Sequence, residues 1–125
     1  MLGCQVFVNA LGKSIKHILN KYNKPQAISP DDIFIVNNPY CGGITHLNDA
    51  VLAMPIFCGN ELVAWVVNIA HWIDIGGMSP GSISMEATEL AQEGLQIPPL
   101  KIFAKGILNE ELFEMICANS RLPEN

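Results

Sequence analysis

Two apolar runs, Ala50–Cys58 and Glu61–Asn68, meet at the dipeptide Gly59-Asn60. Glycine and asparagine tolerate the positive φ of primed two-residue turns, so this step between β-prone runs predicts a hairpin. The turn sets Cys58 opposite Glu61, and a regular ladder then carries Asn48 opposite His71. Each arm is flanked by a histidine followed three residues later by an aspartate, His46-x-x-Asp49 and His71-x-x-Asp74. Turn chemistry alone therefore gathers His46, Asp49, His71 and Asp74 at one open end, although a whole hairpin separates Asp49 from His71.

Side chains alternate faces along a strand, so a regular ladder would set Asp49 and His71 on opposite sides. Pro55 cannot donate to a ladder, which predicts an edge strand or a bulge in the first arm. A one-residue bulge reverses the parity of everything beyond it. Alternatively, the ligand residues lie just outside the strands, where parity no longer applies.

A chain of 125 residues can build one core. Hydrophobic residues make up 50% and charged residues 15%, against roughly a quarter charged in an ordinary soluble domain. Such a surface is expected to bury against more polypeptide, either a missing portion or a partner. The abrupt start at Met1-Leu2-Gly3-Cys4 gives the same expectation, a segment within a larger domain. The net charge of −5 argues against nucleic acid, because phosphate neutralisation needs clustered Lys and Arg. Lys13, Lys16, Lys21 and Lys24 read as a solvated helix face. Cys4, Cys41, Cys58 and Cys117 form no C-x-x-C pair, and no secretory signal precedes them. A reduced, cytoplasmic chain is the simplest account. The apolar runs fall short of the roughly 20 residues that cross a bilayer, so no membrane is expected.

Leu11, Ile15, Ile18, Leu19 and Tyr22 recur at helical spacing, predicting a helix over Leu11–Tyr22 that ends before Pro25 and Pro30. His17 within it reads as a surface or packing residue rather than a ligand. Ile33–Val36 reads as a short buried strand, followed by a turn at Asn37-Asn38-Pro39-Tyr40. Cys41-Gly42-Gly43 is either a plain turn or a place where the backbone passes close to something. Asp74 to Gly81 forms a second glycine-rich loop. A helix over Glu86–Glu93 closed by Gly94, a strand at Leu100–Phe103 and a helix from Glu110 to Ala118, capped by Asn109, complete the pattern. The expected class is α/β in the α+β sense: a mixed or antiparallel sheet built on the central hairpin, with flanking helices.

Two imidazoles and one carboxylate with positions left open suit divalent iron or manganese. With a bound water the same set describes catalytic zinc. The plainer alternative is a group of satisfied polar residues at loop ends. A buried, unpaired aspartate costs several kcal/mol, and no Lys or Arg lies between Lys24 and Lys101 to pair locally.

The strings FIVNNPYCGGITHLNDAVLAMPIF, AHWIDIGGMSPGS, ATELAQEGLQIPPLKIF and LNEELFEMICANSRLPE resemble the hydantoinase B/oxoprolinase family. That family takes in N-methylhydantoinase B subunits, the C-terminal half of 5-oxoprolinase, and subunits of acetone and acetophenone carboxylases. The resemblance covers Leu11 to Glu124, with departures at Asn38, Ile44 and Trp72. Family members are several times longer, which implies that residues 1–125 form a single, truncated segment of such a domain. It also implies His46, Asp49 and His71 as metal ligands, and Asp74 as a catalytic neighbour or further ligand. Glu89 is a weaker candidate for a catalytic residue, and Glu93 for a site residue. The implied activity is metal-dependent, ATP-coupled hydrolysis of cyclic amides of the 5-oxoproline or hydantoin type. A divalent ion (Zn, Mn or Fe) would sit in this chain and ATP at an A-type subunit or domain, giving a hetero-oligomer; no G-x-x-x-x-G-K-[ST] occurs here. The alternatives are a ketone carboxylase subunit, or a non-catalytic remnant acting in assembly.

Overall fold

The hairpin forms, and it makes up most of the sheet. The computed structural model describes residues 8–124, so the expectation drawn from Met1 to Cys4 lies outside the described residues. The elements are α1 (Val8–Lys21), β1 (Ile33–Val36), β2 (Asp49–Cys58), β3 (Glu61–His71), α2 (Leu90–Glu93), β4 (Leu100–Ala104), β5 (Ile107–Leu108) and α3 (Glu110–Asn119). The five strands run in the order β3-β2-β1-β4-β5, and every neighbouring pair is antiparallel. Gly59 opens the β2–β3 turn at φ +60°. A Cβ there would meet open space, so glycine serves conformation at this position and not packing.

The register departs from the regular one. Cys58 pairs with Glu61 and Phe57 with Leu62, but Ile56 pairs with Ala64, leaving Val63 as an unpaired bulge residue. The shift carries to the far end, where Asp49, and not Asn48, faces His71. The extra residue sits on the outermost strand, a common place for bulges. Pro55 marks neither an edge nor the bulge: it pairs with Trp65 on β3. The β1–β2 ladder stops at Phe34 and Ala53, so Pro55 has no β1 neighbour to disappoint.

One face of the sheet packs Phe34 and Ala53 against Ile18 of α1. The rings of Tyr22 and Trp65 flank Phe34 at centroid distances of 5.0 and 5.8 Å. The other face packs Ile35 against Ile97, Ile102 and Leu112, the last from α3. Asn109 caps α3 as expected, accepting the Leu112 N–H at 3.1 Å. Fully buried Asp32 pairs with Lys101 Nζ at 2.7 Å and accepts the Ser29 and Lys105 N–H groups.

Three expectations change in detail. The helix predicted from Glu86 shrinks to Leu90–Glu93 because Gln92 Oε1 takes the N–H groups of Thr88 (2.7 Å) and Glu89 (3.1 Å), which fixes both outside the helix. The second arm runs on to His71 rather than ending at Asn68. A second hairpin, β4–β5, turns at Lys105-Gly106, where both residues take positive φ. Cys41, Cys58 and Cys117 are free thiols, and Cys4 lies outside the described residues. Among the described residues no helix is long and apolar enough to cross a membrane.

Candidate metal centre

Asp49 opens β2 and His71 closes β3, and the bulge sets them directly opposite each other. His71 Nδ1 lies 2.9 Å from Asp49 Oδ1. His46 arrives from the loop before β2, where its carbonyl accepts the Asp49 N–H at 3.1 Å. That turn brings His46 Nε2 to 3.3 Å from Asp49 Oδ2. The two imidazole rings lie 5.1 Å apart between centroids, and the candidate donor atoms of all three residues fall within 4.8 Å of one another. Thr45 Oγ1 also donates to Asp49 Oδ2. Asp49 is buried while the His71 side chain is 52% exposed, so the cluster opens to solvent on the His71 side.

The donor set fits a divalent ion. His46 Nδ1 faces the Ser82 carbonyl at 3.3 Å. With the proton on Nδ1, the Nε2 lone pair is left for a ligand, the way metal-binding histidines are usually oriented. Burial pushes the Asp49 carboxyl up, but bonds from Thr45 and His71 and the two neighbouring imidazoles bring it below its ordinary value. Asp49 is therefore a carboxylate at neutral pH, the form a metal needs.

Two buried asparagines hold the loops around this cluster. Asn37 donates through Nδ2 to the carbonyls of Leu47 (2.8 Å) and Leu95 (2.9 Å), and its Oδ1 accepts the Ile97 N–H at 2.6 Å. Asn48 Nδ2 donates to the Trp72 carbonyl at 2.7 Å, and the Trp72 N–H returns to the Asn48 carbonyl at 2.8 Å. The close approach at Cys41-Gly42-Gly43 is real: a Cβ on Gly43 would lie 2.0 Å from the Asn37 carbonyl oxygen. His17 is exposed on α1, apart from the three clustered residues.

The structure does not bring Asp74 into the cluster. Asp74 is buried, with Oδ1 accepting the Gly76 N–H (3.0 Å) and the Arg121 N–H (2.9 Å). Its Oδ2 pairs with Arg121 Nη1 at 2.9 Å, while Arg121 Nη2 donates to the Gly77 carbonyl at 2.6 Å. The missing local cation is thus supplied from the far end of the chain, and the pair anchors the glycine loop that leads to Ser82. Glu89 is also apart: it is exposed and precedes α2, where Gln92 caps its N–H. Glu93 does reach the site, lining a cavity of about 280 Å³ together with His46, Ser79 and Ser82. Residue spacing missed Asn37, Thr45, Ser82 and Arg121. Arg121 alone carried a signal, as the one arginine in a chain whose aspartates lacked local partners.

The family model described as hydantoinase B/oxoprolinase matches residues 2–125. An uncharacterized protein of Methanocaldococcus jannaschii is 43% identical over 121 residues, which cover 96% of this chain and 21% of that protein. The caprolactamase subunit beta of Pseudomonas jessenii is 36% identical over 94 residues, covering 75% of this chain and 16% of the subunit. The crystal structure of the ATP-dependent caprolactamase from that organism superposes with a TM-score of 0.83 at 30% identity, over 93% of this chain and 20% of its own. The nucleotide-free structure of acetone carboxylase gives 0.84 at 27% identity, over 93% and 15%. The chain spans about a fifth or less of the length of these relatives.

Proposed function

The chain belongs to the hydantoinase B/oxoprolinase family, and on that premise we propose that it holds the metal of a hydrolase that opens cyclic amides with the help of ATP. The convergence of His46, Asp49 and His71, with donor atoms within 4.8 Å, carries this reading. The three residues would hold one divalent ion, zinc, manganese or iron. Such an ion supplies Lewis-acid polarisation of an amide oxygen, or a bound water acidic enough to attack the ring carbonyl.

The chain's own residues prepare that chemistry. Thr45 and His71 fix the orientation of the Asp49 carboxylate, whose charge offsets that of a cation. The Ser82 carbonyl holds the proton on His46 Nδ1 and keeps Nε2 free. Exposure of His71 leaves one side of the cluster open to an approaching ring. ATP is assigned to an A-type subunit or domain that completes a hetero-oligomer, in keeping with the similarity to one subunit of an ATP-dependent caprolactamase. Caprolactam is itself a cyclic amide, which favours hydrolysis. The likeness to acetone carboxylase supports a second reading, carboxylation of a ketone.

The test begins with elemental analysis of the dialysed chain, which should retain about one divalent ion. The matching A-type subunit, ATP and a lactam or hydantoin are then added. Ring-opened product supports the hydrolase, and bicarbonate-dependent product from acetone or acetophenone supports the carboxylase. Assembly without turnover would leave only a structural role, and a chain that retains no metal would overturn the reading.

A further inference from the structure

A groove of about 400 Å³ opens between α3 and the sheet face that carries Ile35. Ile33, Ile35 and Leu52 form its floor, and Phe113, Ile116 and Cys117 of α3 form one wall. Its rim is apolar and meets water: Ile73, Phe113 and Leu122 are 60%, 48% and 46% exposed. Asp74 and Ser120, the lining residues with oxygen-bearing side chains, are already satisfied. Both Asp74 carboxylate oxygens are taken. Ser120 Oγ donates to the Asp74 carbonyl at 3.2 Å and accepts the Leu122 N–H at 3.1 Å. The flank of α3 is acidic. Glu110 precedes Phe113 by three residues and Glu114 precedes Cys117 by three, so helical geometry stands both glutamates beside the groove-lining residues. Neither carboxylate has a hydrogen-bond or ion-pair partner among the described residues. Like charges one turn apart repel, and Arg121 is committed to Asp74 and the Gly77 carbonyl.

An apolar groove with an exposed apolar rim is the usual mark of an interaction surface. Its occupant is constrained by what the groove lacks. The outermost strand on this side, β5, is two residues long, too short to pair with an added strand. With the side-chain oxygens already engaged, an occupant must satisfy its own main-chain N–H and C=O groups or lose them to an apolar wall. A helix does this, and it can lay one apolar face into a groove. The unpartnered Glu110 and Glu114 then call for Lys or Arg beside that face. We propose that this groove docks a basic amphipathic helix of a partner protein. Its apolar residues cover Ile35, Leu52 and Phe113, and its cations meet Glu110 and Glu114. The surface is separate from the His46, Asp49 and His71 cluster and does not depend on a metal there.

Three helical peptides of roughly 15 residues serve as probes, titrated against the full chain by fluorescence anisotropy. One carries leucines along one face and lysines beside them. In the second the lysines are glutamates, and in the third the leucines are serines. The first should bind at least about tenfold more tightly than either of the others. Glu110→Gln combined with Glu114→Gln should weaken it about tenfold and remove most of its salt dependence. Glu61→Gln combined with Glu86→Gln, which takes the same charge from exposed positions outside α3, should leave it unchanged. Phe113→Ser, on the exposed rim, should also weaken it about tenfold, and amide shift dispersion verifies that each variant folds. Equal weakening by the two double variants would reduce the effect to net charge and overturn the proposal. So would tight binding of the glutamate peptide, no effect of Phe113→Ser, or no binding of the leucine–lysine peptide at about 100 μM. Sedimentation without peptide covers the remaining case: a dimer abolished by Phe113→Ser would give the groove to a second copy of the chain instead.

Discussion

His71 stands directly across the hairpin from Asp49, Nδ1 to Oδ1 at 2.9 Å, because Val63 is left unpaired between Leu62 and Ala64. The turn brings the two segments together, and the unpaired Val63 shifts the pairing by one place so that Asp49 rather than Asn48 meets His71.

The turn that starts this register depends on Gly59 at φ +60°. Gly59→Val forces a β-branched side chain into that conformation and should destabilise the fold by about 1 kcal/mol or more. Urea denaturation measures it. Unchanged stability would remove the basis of the register. Deleting Val63, in contrast, regularises the ladder and leaves Asp49 opposite His71. Because Val63 is 55% exposed, stability should change by less than about 1 kcal/mol, and any metal binding should survive.

The hairpin, the short strand at Ile33–Val36 and the Asn109 cap were legible because each rests on a few neighbouring residues. The gathering of His46, Asp49 and His71 was legible for the same reason, through the turn. The bulge was not, since Val63 differs from its neighbours in nothing that composition reveals. The destination of Asp74 was hidden as well. Its His-x-x-Asp spacing matches that of Asp49, yet its partner is Arg121, and only tertiary structure brings the two together. Glu89 and Glu93 illustrate the limit at closest range: four residues apart on one short segment, only Glu93 lines the cavity beside His46.

The Asp74–Arg121 pair should make stability sensitive to acid. Burial pushes the Asp74 carboxyl up, but the Arg121 and Gly76 N–H groups and the guanidinium outweigh it and hold the carboxyl below its ordinary 3.8. A carboxyl with a lowered folded-state value stabilises the protein above its unfolded value, and that stability is lost as pH falls below about 4. Arg121→Ala should cost roughly 2 kcal/mol at neutral pH. Its penalty should shrink as pH falls through that range. A penalty independent of pH would mean that the ion pair contributes nothing.

Asn37 is fully buried and satisfies two carbonyls and one N–H from two separate stretches of chain, at Leu47 and at Leu95–Ile97. Asn37→Leu leaves all three without that partner at a fully buried position, which should cost about 3 kcal/mol or more. Hydrogen exchange should locate the loss in the loop carrying Leu47 and at Ile97. A variant as stable as the parent would assign the loop's position to other contacts.

The cluster itself gives the sharpest expectation. Its three donors come from one loop and two strand ends, so removing any one leaves two ligands, too few to hold an ion against water and buffer. His46→Ala, Asp49→Ala and His71→Ala should each lose most of the metal, while His17→Ala, on the exposed side of α1, should keep it. Imidazole binds metal only when neutral, so affinity should fall as the solution is made more acidic. Elemental analysis after dialysis of the four variants, repeated in progressively more acidic buffer, reads both effects. Equal metal content in all four would place any bound ion elsewhere in the chain, because no other group of three such ligands comes together among the described residues.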